Sequence, residues 1–253
     1  MNKLFIVAKR DIITFFTDFY GVGFRTLNNL CYVVIFAFVL TRIVPSTLTG
    51  GLSYLQFFAL GATVISIFNA SYLIGRDVYW DRESGFLNYL LALPFSRTDL
   101  VLGRSLGGAV RSVLNMLPIY CIALALVPSS FFNAIICILL LFVFSFGLCG
   151  LGILLSTTIR QEERWSLSAR LLELVLIRSS TAMYPIFAMP VWFQVLTKMN
   201  PVTYAAESTR AITSQPLPTA PGIDILIVLL FSSLVGILGI TMYTRRVEGG
   251  GTE

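Results

Sequence analysis

The chain has 253 residues, of which 56% are apolar and only 12% charged, with a net charge of +5. Soluble domains run at about 45–50% apolar and about 25% charged, and the apolar residues here come in blocks near the ~20 residues that cross a hydrocarbon core, so the chain reads as an integral membrane protein and its basic excess as a report of loop orientation rather than a nucleic-acid surface. Histidine is absent, which removes His-ligated haem, His-containing zinc sites and Ser–His or Cys–His nucleophile pairs.

Residues 2–20 have helical period. Leu4, Phe5, Ala8, Ile12, Phe15, Phe16 and Phe19 fall on one face, with Lys3, Arg10, Thr14 and Thr17 roughly opposite. That pattern predicts an amphipathic helix over 1–22, lying in the membrane interface with its basic face towards headgroups. Leu4–Ala8 is too short for the core of a secretory signal, and Lys9-Arg10-Asp11 interrupts it.

Membrane-spanning helices are expected near 26–44, 53–75, 105–127, 133–156, 171–193 and 223–243, all within one transmembrane domain covering 1–253. Short loops at Pro45–Leu52 and Pro128-Ser129-Ser130 join the first and second pairs. Basic residues fix the orientation. Lys3, Lys9, Arg10, Arg25, Arg76, Arg82, Arg97, Arg104, Arg160, Arg164, Arg170, Arg245 and Arg246 fall on one side. Only Arg42, Lys198 and Arg210 fall on the other. The positive-inside rule puts both termini in the cytoplasm and favours an even number of spans, six. No internal repeat is visible, which argues against an inverted-repeat secondary transporter. Cys31, Cys121, Cys137 and Cys149 all lie in apolar runs without a C-x-x-C, and read as small buried hydrophobes.

The second and third spans are joined by the most structured polar stretch, Arg76–Arg104. Asp81-Arg82-Glu83-Ser84-Gly85 reads as a charged turn, and Phe86–Leu93 as a short apolar helix. Pro94 ends that helix, because proline disfavours helix in the residue before it. Ser96-Arg97-Thr98-Asp99 has the form of a helix N-cap and opens the third span. The loop therefore reads as helix, break, helix.

Two features mark the later part of the chain. Arg178, beside Ser179, Ser180 and Thr181, falls within the fifth expected span, roughly 10 Å past Arg170 at 1.5 Å per residue. An arginine at mid-helix costs about 2.5–3.5 kcal/mol to insert. It therefore either lines a cavity, where it would meet an anionic group, or snorkels to the cytoplasmic face. Arg111 is similar, with snorkelling favoured, and Glu173 could pair with Arg170. Phe187–Leu196 is expected to enter the membrane from outside and turn back at Pro190, near Trp192. Asn200-Pro201 then reads as N-cap and first residue of a helix to about Thr213, with Glu207 and Arg210 paired at i,i+3. Gly103-x-x-x-Gly107, Gly147, Gly150, Gly152, Gly236 and Gly239 are expected to let helices approach closely.

These motifs resemble the permease subunits of type-2 ABC exporters. That family's loop after the second span has an acidic residue, a glycine, paired leucines, Pro-x-Ser-Arg and a Leu-Gly-Lys/Arg ending. The counterparts here are Glu83, Gly85, Leu90-Leu91, Pro94-Phe95-Ser96-Arg97 and Leu102-Gly103-Arg104. Its Asn-Pro-x-Thr-Tyr motif and following arginine are matched by Asn200-Pro201-Val202-Thr203-Tyr204 and Arg210, and its apolar hairpin by Phe187–Trp192. The resemblance implies an all-α fold with six transmembrane helices, an N-terminal interface helix, a cytoplasmic coupling helix between spans two and three, and a re-entrant outer hairpin between spans five and six.

It also implies a function. Two permeases, as a homodimer, would pair in the cytoplasmic (inner) membrane, each docked to one ABC ATPase subunit. ATP and Mg would be bound by that partner, since the chain has no G-x-x-x-x-G-K-[ST], and no cofactor is expected here. ATPase coupling would fall to Asp81, Arg82, Glu83, Gly85, Phe86, Leu90, Pro94 and Arg97. The translocation path or outer gate would fall to Arg178, Ser179, Pro190, Trp192, Asn200, Pro201, Tyr204, Glu207 and Arg210. The expected role is export of a hydrophobic or amphipathic substrate (drug, lipid or lipid-linked glycan), with membrane lipid as a further partner and no bond chemistry in the chain itself. A haem-related or specialised glycan exporter of the same family, a membrane-embedded enzyme, and a channel or scaffold are the rivals. The lack of a clustered acidic pair within the spans argues against the enzyme.

Overall fold

The computed structural model describes residues 3–85, 96–159, 161–214 and 221–248. Among the described residues the chain is helical, with no strand. In chain order the helices are α1 (Lys3–Thr17), α2 (Phe19–Thr41), α3 (Tyr54–Tyr72), α4 (Ile74–Glu83), α5 (Arg97–Leu126), α6 (Phe131–Thr158), α7 (Glu162–Arg178), α8 (Val191–Met199), α9 (Pro201–Thr213) and α10 (Pro221–Glu248). Short 3₁₀ turns lie at Ser46–Thr49 and Ile186–Ala188.

Among the described residues, five stretches are long and apolar enough to cross a membrane: Tyr20–Thr41, Ser46–Glu83, Arg97–Leu126, Phe131–Thr158 and Gly222–Thr244. They match five of the six expected spans, with α2 and α5 each beginning about a helical turn or two earlier than the sequence suggested. The expected span over 171–193 is not one helix. Helix α7 stops at Arg178, and the chain is irregular until α8 begins at Val191. Serine chemistry explains the stop. Ser179 and Ser180 donate their hydroxyls back to the carbonyls of Val175 (2.5 Å) and Ile177 (2.7 Å), offering the backbone an alternative to the helical ladder. Pro185 and Pro190 then lack the N–H that a continuing helix needs.

The first helix also differs from its expectation. It breaks at Asp18, which caps α2 by accepting the Gly21 N–H at 3.1 Å and holds Arg25 at 2.7 Å. The buried face of α1 is Val7, Ala8, Asp11 and Phe15, whereas Phe5 and Phe16 are exposed. That face packs on α5. The close approach runs at Gly107, where a Cβ would meet the Ala8 backbone and the Asp11 Cβ at 3.0 Å. Gly107 of the Gly103-x-x-x-Gly107 pair thus seats the N-terminal helix.

The bundle core runs along α3, α5, α6 and α9, with Phe58, Leu60, Phe68, Met116, Tyr120, Leu141 and Phe144 all fully buried. Helix α10 lies along α6. There Gly150 and Gly239 face each other so closely that a Cβ at Gly239 would collide with the Gly150 backbone, the small-residue contact that brings membrane helices together. Cys137 and Cys149 are buried as expected, but Cys31 and Cys121 lie on the outside of the bundle, and all four are free thiols.

Candidate functional site

Two polar clusters sit at opposite ends of the bundle. The first joins α1, α4, α5 and α6 beside the segment at 86–95. Asp81, in the last turn of α4, accepts from Arg104 of α5 and from Arg10 Nη2 of α1 at 3.3 Å. Arg10 also contacts Asp11 at 3.2 Å. Arg104 and Asp11 are nearly buried. A guanidinium and a carboxylate taken out of water persist together only when paired, so Asp81 ties three helices at one point. A small cavity of about 20 Å³ lies against it, among Val78, Leu100, Ile153 and Tyr243.

Two further arginines extend the cluster. Arg82 donates to the Ser156 carbonyl (3.0 Å) and the Ile159 carbonyl (3.2 Å), and stacks over the Tyr79 ring at 5.1 Å. It thereby satisfies carbonyls at the end of α6 that the helix leaves without partners and that carry its negative pole. Arg111 pairs with Asp77 at 2.8 Å. It does not snorkel to headgroups as expected: a carboxylate one turn back from Asp81 on α4 is within reach, and a charge-assisted hydrogen bond inside the bundle replaces the headgroup contact.

The expected charged turn at Asp81–Gly85 is therefore mostly helix. Asp81, Arg82 and Glu83 belong to α4, and only Ser84 and Gly85 turn. Gly85 has φ 73°, the left-handed conformation that ends helices and favours glycine. Glu83 is half exposed and 3.8 Å from Arg82. Arg97 is the first residue of α5, and Ser96 caps that helix by accepting the Asp99 N–H at 3.0 Å. Phe86, Leu90 and Pro94, with the short helix expected around them, lie outside the described residues.

The second cluster forms where α7 stops. Asn200 caps α9 by accepting the Val202 N–H at 2.9 Å, and its amide donates to the Leu176 carbonyl (2.6 Å) and to Ser179 Oγ (3.0 Å). One side chain thus fastens the start of α9 to the end of α7, with Pro201 at the first helical position as expected. Tyr204 donates to the Lys198 carbonyl at 2.5 Å. Arg210 is wholly buried. Its guanidinium donates to the carbonyls of Phe57 (3.3 Å), Thr181 (2.9 Å) and Ala182 (3.3 Å), and to Glu207 at 3.1 Å. Burial pulls Arg210 below its usual range, and the Glu207 carboxylate opposes that. The i,i+3 pair anticipated from sequence is present.

The remaining expected residues are spread along this broken region. Arg178 is exposed at the end of α7, where the helix pole favours a cation. It lines a cavity of about 80 Å³ with Asn28, Asn29, Tyr32, Asn69 and Glu173. The Glu173–Arg170 pair is not formed among the described residues. Pro190 directly precedes α8, and Trp192 is exposed on it, edge-to-face with Phe193 at 5.4 Å.

Sequence reading missed Arg10, Asp11, Asp77, Tyr54 and Gly61 as site residues. An acidic residue near the end of an apolar span, matched by an arginine on the next, was the available signal for Asp77. Tyr54 and Gly61 carried none, because a lone tyrosine and a lone glycine in an apolar helix look like packing. No group of three or more metal-ligating side chains occurs among the described residues.

The sequence is similar to those of known transport permeases. The profile of the ABC-2 type transporter family matches residues 2–213. A putative transport permease named ycf38 from Cyanophora paradoxa is 29% identical over 217 residues, covering 85% of this chain and 72% of that one. Its namesake from Porphyra purpurea is 29% identical over 191 residues, 74% of this chain and 66% of that one. The daunorubicin resistance ABC transporter permease protein DrrB1 of Streptomyces coeruleorubidus is 26% identical over 162 residues, 63% of this chain and 57% of that one. The matched part thus spans about two thirds of the Porphyra relative's own length. With a family profile that matches residues 2–213, most of its length, the chain belongs to the ABC-2 type transporter family.

Proposed function

We propose that this chain is the membrane permease of an ATP-driven exporter, acting as a homodimer and driven by two copies of a separate ABC ATPase that binds ATP and Mg. The observation that carries the reading is the Asp81 junction. Family permeases need a route by which a soluble motor moves membrane helices. Here Asp81 joins α1, α4 and α5 through Arg10 and Arg104, immediately before and after the segment at 86–95. A push delivered on that segment would reach three helices through packed, paired side chains rather than through a flexible loop.

The broken α7–α8 region supports a second part of the reading. Helix α7 and the irregular stretch after it would make the sixth crossing, with α8 returning as a re-entrant outer element. Both termini would then lie in the cytoplasm of a cell whose inner membrane holds the protein. The exposed Phe187, Val191, Trp192, Val195 and Met199 suit an outer gate or lipid contact. Arg178 and Glu173, lining one small cavity near the α2–α3–α7 junction, suit a polar contact for the headgroup of an amphipathic substrate rather than a site for the whole molecule.

The test is capture of the full chain from its native membranes in mild detergent. We expect a P-loop ATPase to co-purify at one copy per permease, with ATP hydrolysis that falls when Phe86–Leu93 is deleted. A permease that purifies without an ATPase, or a deletion that leaves hydrolysis unchanged, would overturn the reading.

A further inference from the structure

The end of the bundle opposite the Asp81 junction holds a cavity of about 410 Å³ between the α2–α3 loop, the irregular stretch after α7, α9 and the start of α10. Its size falls in the range of about 300–1,000 Å³ typical of drug-sized ligand sites. The Arg178 cavity, at about 80 Å³, is too small for such a molecule.

The larger cavity is lined by two carboxylates and two cations, of which only Glu207 and Arg210 are paired among the described residues. Glu207 and Asp224 both line it. Arg210 is the buried cation beside them, but its N–H groups are already spent on the Phe57, Thr181 and Ala182 carbonyls and on Glu207. Asp224 makes no salt bridge among the described residues. Lys198 also lines the cavity, but it is exposed and makes no ion pair among the described residues. Asp224 is thus a carboxylate on the cavity wall with no paired cation among the described residues. In surroundings of low dielectric such a charge attracts a counter-ion more strongly than in bulk water.

A second observation points to a polar ligand. Thr181 and Thr203 line the cavity, are 1% and 5% exposed, and their hydroxyls have no hydrogen-bond partner among the described residues. Buried hydroxyls are ordinarily paired, and these two are left unpaired in the wall of the cavity. The rest of the wall is apolar and aromatic, from Phe57, Ile186 and Phe187.

We propose that this cavity binds an amphipathic organic cation, with its charged head against Asp224 and Glu207 and its apolar body against Ile186 and Phe187. The proposal rests on the permease reading only for its place on a transport path; binding itself needs no ATPase.

Tetraphenylphosphonium and tetraphenylborate test it, because they share four phenyl groups and differ in the sign of the charge. Equilibrium binding of each to the full chain in lipid nanodiscs, with protein-free nanodiscs subtracted, should show saturable binding of the phosphonium about ten-fold or more tighter than the borate. Asp224→Asn should weaken phosphonium binding by about five-fold or more and leave the borate unchanged. Should Asp224→Asn fail to fold, Phe187→Ala serves in its place, and loss of phosphonium binding in it supports the site. Equal affinity for the two ions, or phosphonium binding indifferent to all variants that fold, would overturn it. If binding fails while an ATPase still co-purifies, only the ligand assignment falls. If binding holds while no ATPase associates, only the transport reading falls.

Discussion

Tyr54 donates its phenolic hydroxyl to the Met183 carbonyl at 2.7 Å, across 129 positions of sequence. The bond joins the first residue of α3 to the irregular stretch where α7 has stopped. Arg210 meets the same stretch from α9, at the Thr181 and Ala182 carbonyls. Non-helical backbone within a membrane bundle is tolerated where protein satisfies its polar groups. Tyr54 and Arg210 supply that satisfaction for residues 181–183, and they hold the N-terminal end of α3 against α9.

Arg210 should therefore be the most costly polar side chain to remove from this end of the bundle. Arg210→Met strands the Phe57, Thr181 and Ala182 carbonyls and the Glu207 carboxylate. We expect about 3–5 kcal/mol of lost stability, the scale for breaking a buried charged pair, read as a large fall in melting temperature in detergent. Arg210→Lys should recover only part of it, since an ammonium cannot span the same fork of acceptors. A melting temperature within a degree or two of the parent for Arg210→Met would show that the carbonyls find other partners.

Gly61 is the steric half of the same contact. A Cβ there would overlap the Ala182 carbonyl oxygen, so Gly61→Ala should destabilise by about 1–3 kcal/mol, the cost of overpacking. Gly23→Ala on α2 is the matched control, because nothing lies within 4 Å of its built Cβ; a small gain of up to ~1 kcal/mol in helix propensity is expected there. Equal melting temperatures for the two variants would contradict the close approach at Gly61.

At the other end, Asp81→Asn leaves the nearly buried Arg104 without its carboxylate. The expected result is a protein that still inserts but whose α1 detaches from α4 and α5. Protease cleavage within the first helix should rise, and ATP hydrolysis by the captured complex should no longer respond to substrate. Unchanged protection of α1 would show that the Ala8–Gly107 packing holds it without the charges.

Asn200→Ala removes an N-cap and the two bonds that reach Leu176 and Ser179. The cap alone is worth about 1 kcal/mol, and the two further bonds should bring the loss to about 2–3 kcal/mol. Asn200→Asp keeps the acceptor but not the donors, so it should fall between the parent and Asn200→Ala. Equal melting temperatures for the Asn200→Asp and Asn200→Ala variants would mean that the bridge to α7, not the cap, carries the whole effect.

Much of this fold was legible because it rests on local rules. Apolar length gave five spans, Ser96 and Asn200-Pro201 read as caps, and Glu207–Arg210 followed from helical spacing. The fifth span was misread because Leu171–Leu176 and Ala182–Val191 are apolar enough to look continuous. What divides them is the back-bonding of Ser179 and Ser180, which hydropathy does not register. Arg111 was given to the headgroups because its partner, Asp77, sits on another helix, and long-range pairing leaves no periodicity to read. Arg210 was expected at a gate; its burial among three carbonyls shows it holding backbone together, a role that only the folded chain discloses.

On the proposed reading, the α4–α5 end of this bundle meets a separate ATPase. The most direct measurement of that contact is photo-crosslinking from a benzoylphenylalanine placed at Ser84, beside Gly85, with one at Ser129 on the loop at the opposite end as control. The account expects Ser84 to yield a covalent adduct with a P-loop ATPase chain in native membranes and Ser129 to yield none. An ATPase adduct from Ser129, or none from either position when the ATPase is present, would contradict it.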